Sequence, residues 1–144
     1  MEFEVFPYAG VGPIEFGMVR ADVRQRLAAP PESFTKAPGS ASPTDAFDTL
    51  GIHVHYDSDD RCEAVEFGRR LVAPTFRGQP LLGRAWAEIE RWLRAIDPYV
   101  ASDSTGLTSL TFGFGLYAPS ARDSPHSEVE GVIVFRRGYY EPGT

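Results

Sequence analysis

Phe16-Gly17-Met18-Val19-Arg20-Ala21-Asp22-Val23-Arg24-Gln25-Arg26-Leu27 returns as Leu82-Gly83-Arg84-Ala85-Trp86-Ala87-Glu88-Ile89-Glu90-Arg91-Trp92-Leu93. Both times an apolar residue and a glycine lead into a helical pattern. Two further pairs follow in the same order. Leu50-Gly51-Ile52-His53-Val54-His55 reads like Phe112-Gly113-Phe114-Gly115-Leu116-Tyr117, and Ala64-Val65-Glu66-Phe67 reads like Val132-Ile133-Val134-Phe135. The offsets differ by a few positions, which loops of unequal length absorb. Self-similarity of this kind decides the architecture before any single motif does. It predicts one domain over 1–144, built from internal repeats at about 13–68 and 79–136.

Within the first copy, Val19, Val23 and Leu27 recur at intervals of four with arginines between them, the pattern of a narrow amphipathic helix that ends before Pro30-Pro31. The second helix is broader. Leu82, Trp86, Ile89, Leu93 and Ile96 form its stripe, Ala85 and Trp92 widen it, and Asp97-Pro98 ends it, because the residue before proline avoids the helical region. After each helix the period changes to two. Phe47–Tyr56 reads as a strand with Leu50, Ile52, Val54 and Tyr56 on one side and Gly51, His53 and His55 on the other. Asp57-Ser58-Asp59-Asp60 is turn chemistry, and Cys62–Phe67 is the returning strand. Leu107–Tyr117 and Val129–Arg136 are the matching strands of the second copy. Glu2–Tyr8 alternates as an edge strand ended by Pro7, and the Pro/Ser-rich stretch 30–45 reads as an irregular loop.

Each copy is therefore a helix followed by antiparallel strands. The expected fold is α+β: two tandem helix-plus-antiparallel-strand repeats forming one twisted antiparallel sheet, with the helices packed on one face. The inward set is Ile52, Val54, Val65, Phe67, Phe114, Leu116, Ile133 and Phe135. His53, His55, Glu66, Tyr117, Val132 and Val134 are left on the opposite side, a mixed aromatic, aliphatic and acidic patch of the composition that protein interfaces use. The alternative is that another segment, such as the terminal Tyr139-Tyr140, or a second subunit covers that face.

At Gly17-Met18, followed by the charged helix through Val23 and Leu27, a tyrosine-ending strand and a strand ending in Phe67, the chain resembles the superfamily of the β-lactamase inhibitor protein and BamE. It is similar also to small bacterial immunity-type proteins. The resemblance implies a two-copy αβ domain with an open sheet surface that grips a protein, and it brings no catalytic residues. The hydroxyl residue that usually follows the methionine is Val19 here, and the cysteine pair of the secreted inhibitor is missing.

Composition narrows the function. The chain has 144 residues with 20 acidic against 14 basic side chains, a formal charge of −6 that disfavours a nucleic-acid surface and suits a basic protein partner. Cys62 stands alone, and the first residues carry no positive, long apolar leader, so a cytoplasmic protein with no membrane association is expected. His53-Val54-His55 is the sharpest chemical motif, since residues two apart on a strand project to one side and can present two imidazoles to a metal. Asp57 or Glu66 could add a third ligand. Gly113-Phe114-Gly115 sits in an alternating strand and marks a bulge or a close backbone approach, not a phosphate loop. Cys62 has no histidine base at an interpretable spacing, and no serine lies in a nucleophile elbow. The leading expectation is a non-enzymatic interaction module without a cofactor, an immunity or inhibitor protein that docks a basic partner on its exposed sheet face. The alternatives are a metal-dependent hydrolase centred on His53 and His55, and a small-ligand binder with a pocket between the helices and the Pro-rich loop.

Overall fold

The computed structural model describes residues 2–34, 42–68, 72–121 and 123–140. Its centre is an antiparallel sheet of eight strands. The first four are β4 (Glu32–Phe34), β5 (Thr44–Phe47), β6 (Ile52–Tyr56) and β7 (Cys62–Gly68), and the others are β10 (Ala101–Ser102), β11 (Gly106–Ser109), β12 (Phe114–Tyr117) and β13 (Gly131–Phe135). Their spatial order is β10-β11-β12-β13-β7-β6-β5-β4. Two four-strand meanders thus meet through their last strands, β13 against β7. Helix α1 (Arg20–Leu27) precedes the first meander and helix α2 (Trp86–Ile96) precedes the second. Three short N-terminal strands, β1 (Val5–Phe6), β2 (Gly10–Val11) and β3 (Ile14–Glu15), form a small sheet, and β8 (Thr75–Phe76) with β9 (Gln79–Pro80) forms a hairpin.

Alternation along the strands sends one side chain in two to the core. Val23 and Leu27 of α1 and Trp86, Ile89 and Leu93 of α2 share one buried cluster with Ile52, Val54, Val65, Phe67, Phe114 and Leu116. Phe3 and Val5 join it, as the alternation at Glu2–Tyr8 predicts, and Phe3 meets the Phe67 ring edge-on at 5.5 Å. Phe76 adds an aromatic bridge, 4.9 Å from Phe112 and 6.3 Å from Trp92.

Several expectations are corrected. Phe47–Tyr56 is not one strand but the hairpin β5–β6, because residues 48–51 turn and Gly51 adopts φ +70°. Leu107–Tyr117 likewise splits into β11 and β12 around Gly113 at φ +77°, so this glycine makes a turn and no bulge. The stretch 30–45 carries β4 and the start of β5 at its ends, while 35–41 lies outside the described residues. Leu82 is buried ahead of α2, not within it.

The correction with most consequence concerns β13. Val132 pairs with Phe67 and Val134 with Val65, so both valines belong to the core face, at 2% and 0% exposure. Ile133 and Phe135 occupy the opposite face. A shift of one residue in register exchanges the two faces of a strand.

Candidate functional site

The sheet face turned away from the core cluster is arranged in rows fixed by register. One row runs Thr108, Gly115, Ile133, Glu66, His53 and Ala46 across β11, β12, β13, β7, β6 and β5. A neighbouring row runs Gly106, Tyr117, Gly131 and Gly68. Gly68 and Gly131 lack side chains and leave the backbone open beside Tyr117, whereas at Gly106 a β-carbon would stand 1.8 Å from the Leu116 carbonyl oxygen, so that glycine answers a close backbone approach. A β-carbon at Gly131 would stand 3.6 Å from Tyr117 Cβ and 3.8 Å from its Cδ2, so the tyrosine lies along the glycine while remaining 51% exposed.

On the other side of the Ile133 row, Phe135 and Ala64 pair, and both are buried. The C-terminal aromatics cover them. Tyr140 meets Phe135 edge-on at 4.9 Å, Tyr139 does so at 5.9 Å, and Tyr8 stacks on it at 6.2 Å. The hydroxyl of Tyr8 donates to the carbonyl of Leu110, which fastens the N-terminal hairpin to the turn between β11 and β12. Burial pushes the Tyr139 hydroxyl up to about 12, with the charges of Glu63 and Glu66 adding to the effect, and raises Tyr140 in the same direction.

Tyr117 and the Tyr139-Tyr140 segment thus flank a groove of about 460 Å³ floored by Gly115 and Ile133. Glu66 and His55 stand at its β7–β6 end and Asp103 and Thr105 at the other. A second depression along the same face reaches Asp48, His53, Glu66 and Glu130. Among the described residues, no lysine or arginine lines either one. Asp103 accepts from the backbone N–H groups of Thr105 and Gly106 and from the Thr105 hydroxyl, bonds that hold its carboxyl below the ordinary range.

Of the residues singled out from sequence, the fold brings His53, His55, Glu66 and Tyr117 to this face and removes Val132 and Val134 from it. His53 and His55 do share a side, and Glu66 does lie across the hairpin. The imidazole of His55 is engaged at both nitrogens: Nδ1 lies 2.9 Å from Thr44 Oγ1 and Nε2 lies 2.5 Å from Glu66 Oε1. The Nε2–H tautomer satisfies both, donating to the carboxylate and accepting the hydroxyl. Hydroxyl, imidazole and carboxylate stand in the order of an acyl-transfer triad. Thr44 is only 1% exposed, however, so no substrate carbonyl reaches the hydroxyl in this arrangement. What the chain of bonds does is hold Glu66, whose side chain is 50% exposed, in one orientation at the groove.

Among the described residues no group of three or more histidine, cysteine, aspartate or glutamate side chains is placed to hold a metal ion. Asp57 instead accepts from the backbone of Asp59 and Arg61 and from Arg136 Nη1 at 2.8 Å. Burial pushes the Cys62 thiol up to about 12. The pocket expected beside the Pro-rich loop involves 35–41, outside the described residues. No described helix is long and apolar enough to cross a membrane.

Sequence reasoning did not single out Asp48, Asp103 and Glu130 for this face, since carboxylates in turns carry no signal of which face they will line. Tyr139-Tyr140 was recognisable as a possible cover because two adjacent tyrosines end the described chain. No protein family matches this sequence, and no curated protein or solved structure matches it significantly.

Proposed function

We propose that this protein is a non-enzymatic interaction module, of immunity or inhibitor type, that docks a basic partner on the outer face of its sheet. The observation that carries the reading is the groove face itself, where exposed Tyr117 and Tyr140 stand beside Glu66, Asp103, Asp48 and Glu130 with no lysine or arginine lining among the described residues. Aromatic anchors supply most interface energy, and a single sign of charge steers an oppositely charged partner and speeds encounter. The architecture is in keeping with a tandem repeat of one αβ unit, each copy a helix and a four-strand meander packed with its helix on the same side. The paired glycines Gly17 and Gly83 support that repeat, both with positive φ just ahead of a helix. This is the arrangement by which the β-lactamase inhibitor protein presents a sheet to its target, and the chain is proposed to act in the same compartment as its partner, the cytoplasm.

The test is a side-by-side affinity isolation from native cell extract with the wild-type protein, an Asp103→Lys/Glu130→Lys variant and a Glu88→Lys variant. A stoichiometric partner held by wild type and Glu88→Lys, lost on reversing the charges of Asp103 and Glu130 on the sheet face and released by salt, is expected. A partner indifferent to the groove variant, or no stoichiometric partner, overturns the reading.

A further inference from the structure

We propose that the end of the molecule formed by the β1–β2, β8–β9 and β11–β12 turns is a second docking surface, of positive charge, that takes an acidic and apolar segment of a protein partner. It is separate from the acidic face. The turn Leu110–Gly113 stands at the Phe114 end of β12, whereas Asp103 and Glu130 gather at the Tyr117 end, so about 10 Å of strand divides the two surfaces. At physiological salt the screening length is about 8 Å, and a partner at one end feels little of the charge at the other.

Two turns at this end hold large side chains where the backbone favours small ones. In Phe6-Pro7-Tyr8-Ala9 the N–H of Ala9 donates to the carbonyl of Phe6, and Tyr8 takes φ +61° at the position of a type II turn that glycine or asparagine ordinarily fills. Arg77-Gly78 closes the β8–β9 hairpin with φ +51° and +78°, a conformation for which Asn-Gly is the preferred pair. Tyr8 has an internal reason, since it stacks on Phe135 and its hydroxyl donates to the carbonyl of Leu110. Arg77 has only rings. Its exposed guanidinium lies 4.9 Å from the centre of Phe112 and 5.2 Å from that of Phe76, and among the described residues it meets no carboxylate. The nearby Glu4 accepts instead from the Thr75 hydroxyl and the Arg77 backbone N–H. Arg137, across the same turn, stands exposed 4.1 Å above the Tyr8 ring, again with no carboxylate. By contrast Arg20, Arg24, Arg84, Arg94 and Arg136 each reach one.

A strained side chain kept at the surface without an internal partner points to a role outside the chain. A guanidinium held against a ring has lost part of its freedom in advance, and its forked N–H donors suit a carboxylate. Phe6, 52% exposed, and Leu110, 59% exposed, belong to the same turns and supply the apolar part of the contact. The formal charge of −6 opposes approach to an anionic bilayer, which is charged over its whole area, and favours a local acidic segment as the occupant.

The experiment titrates the isotopically labelled protein with a capped peptide alternating glutamate and leucine, and in parallel with its glutamine counterpart, following backbone amide resonances. Saturable shifts at Phe6, Arg77, Leu110 and Gly113 are expected with the glutamate peptide, weakened by salt and absent with the glutamine one, while Gly106 and Gly131 stay in place. Arg77→Asn should weaken binding about tenfold, as the loss of one charge-assisted hydrogen bond does, and should melt no lower than wild type, because asparagine suits the turn. Shifts that the glutamine peptide reproduces, shifts confined to other faces, or no saturable response overturn the inference on the wild-type protein alone. An Arg77→Asn variant that binds like wild type, or that melts below it, does so as well, the latter because the rings alone then account for the arginine. Binding to vesicles of about 30% phosphatidylserine, with no response to the peptide, assigns this end to anionic lipid and refutes the protein occupant. Each of these outcomes leaves the acidic face standing, since that reading is scored by the Asp103→Lys/Glu130→Lys variant and a basic partner.

Discussion

The two helices are fastened to the same sheet by different physics. Helix α1 buries only Val23 and Leu27 and relies on charge: Asp45, fully buried on β5, accepts from Arg20 Nη1 at 2.8 Å, Arg24 Nε at 2.9 Å, Ser33 Oγ at 2.7 Å and the Tyr56 hydroxyl at 3.0 Å. Arg20 reaches on to Asp60 at 2.6 Å, which joins the helix to the β6–β7 turn. Burial alone would raise the Asp45 carboxyl, but the bonds from Arg24, Ser33 and Tyr56 and the charge of Arg20 bring it below its ordinary value. Burial and the neighbouring Asp45 charge drive the Tyr56 hydroxyl strongly upward. Helix α2 instead buries Trp86, Ile89 and Leu93, with Trp92 and Ile96 packed against them. Its one buried carboxyl, Asp97 at the C-cap, accepts from the hydroxyls of Ser109 and Thr111 and the backbone of Tyr99, with no arginine in those bonds. A helix with a narrow apolar stripe can thus be held as specifically as a broad one, provided every buried charge is answered.

The comparison can be broken or sharpened by experiment, beginning where the effect is largest. Leu93→Ala should destabilise the protein by about 4 kcal/mol in urea unfolding, as a large side chain lost from a dry core does; a loss below about 1 kcal/mol would mean α2 is not held by packing. Asp45→Ala should cost about 3 kcal/mol by stranding two partly buried arginines, and Arg20→Met in that background should recover part of it, since the stranded charge is then removed. In acid the two helices should part company. Asp45 and Asp60 have folded pKa values depressed below 3.8, so their stabilisation is complete above about pH 4 and is lost as pH falls through the folded values. Amide exchange should therefore open in α1 before α2 as pH drops below 3.8; simultaneous opening contradicts the charge-based account. Ser109→Ala should cost about 1 kcal/mol, the scale of one hydrogen bond removed from a buried acceptor. On the covered face, Tyr139 should ionise near 12 by tyrosinate absorbance and drop toward 10 in Phe135→Ala, because its folded value is raised and the covered, uncharged state is lost as pH rises through it.

Much of the scaffold was legible in the chain. The helical spacing from Val19 to Leu27 and from Trp86 to Ile96, the Asp57–Asp60 turn and the alternation at Ile52–Tyr56 are local patterns that one segment displays by itself. The two missed hairpins are failures of a different sort. Leu50 and Phe112 continue an apolar alternation straight through a turn, and only the positive φ of Gly51 and Gly113 breaks it. At β13 no local reading could succeed, since Val132-Ile133-Val134-Phe135 is apolar at every position and a period of two has no phase to detect. Half the candidate site, His53, His55, Glu66 and Tyr117, was visible as polar and aromatic positions beside apolar ones. Asp103, Asp48 and Glu130 were not, because connecting segments bring them to the sheet face.

By itself the sequence determined the two helices, the Asp57–Asp60 turn, the punctuating glycines and the acidic balance, all properties of neighbouring residues or of composition. Only the tertiary structure decided that the meanders join through β7 and β13, which face Val132 and Val134 take, that Asp45 is answered by Arg20 and Arg24, and that Tyr139 and Tyr140 fold back beside a glycine-floored groove. Those outcomes depend on pairings between residues distant in sequence, where register and burial are fixed by the whole core at once and leave no trace in any single segment.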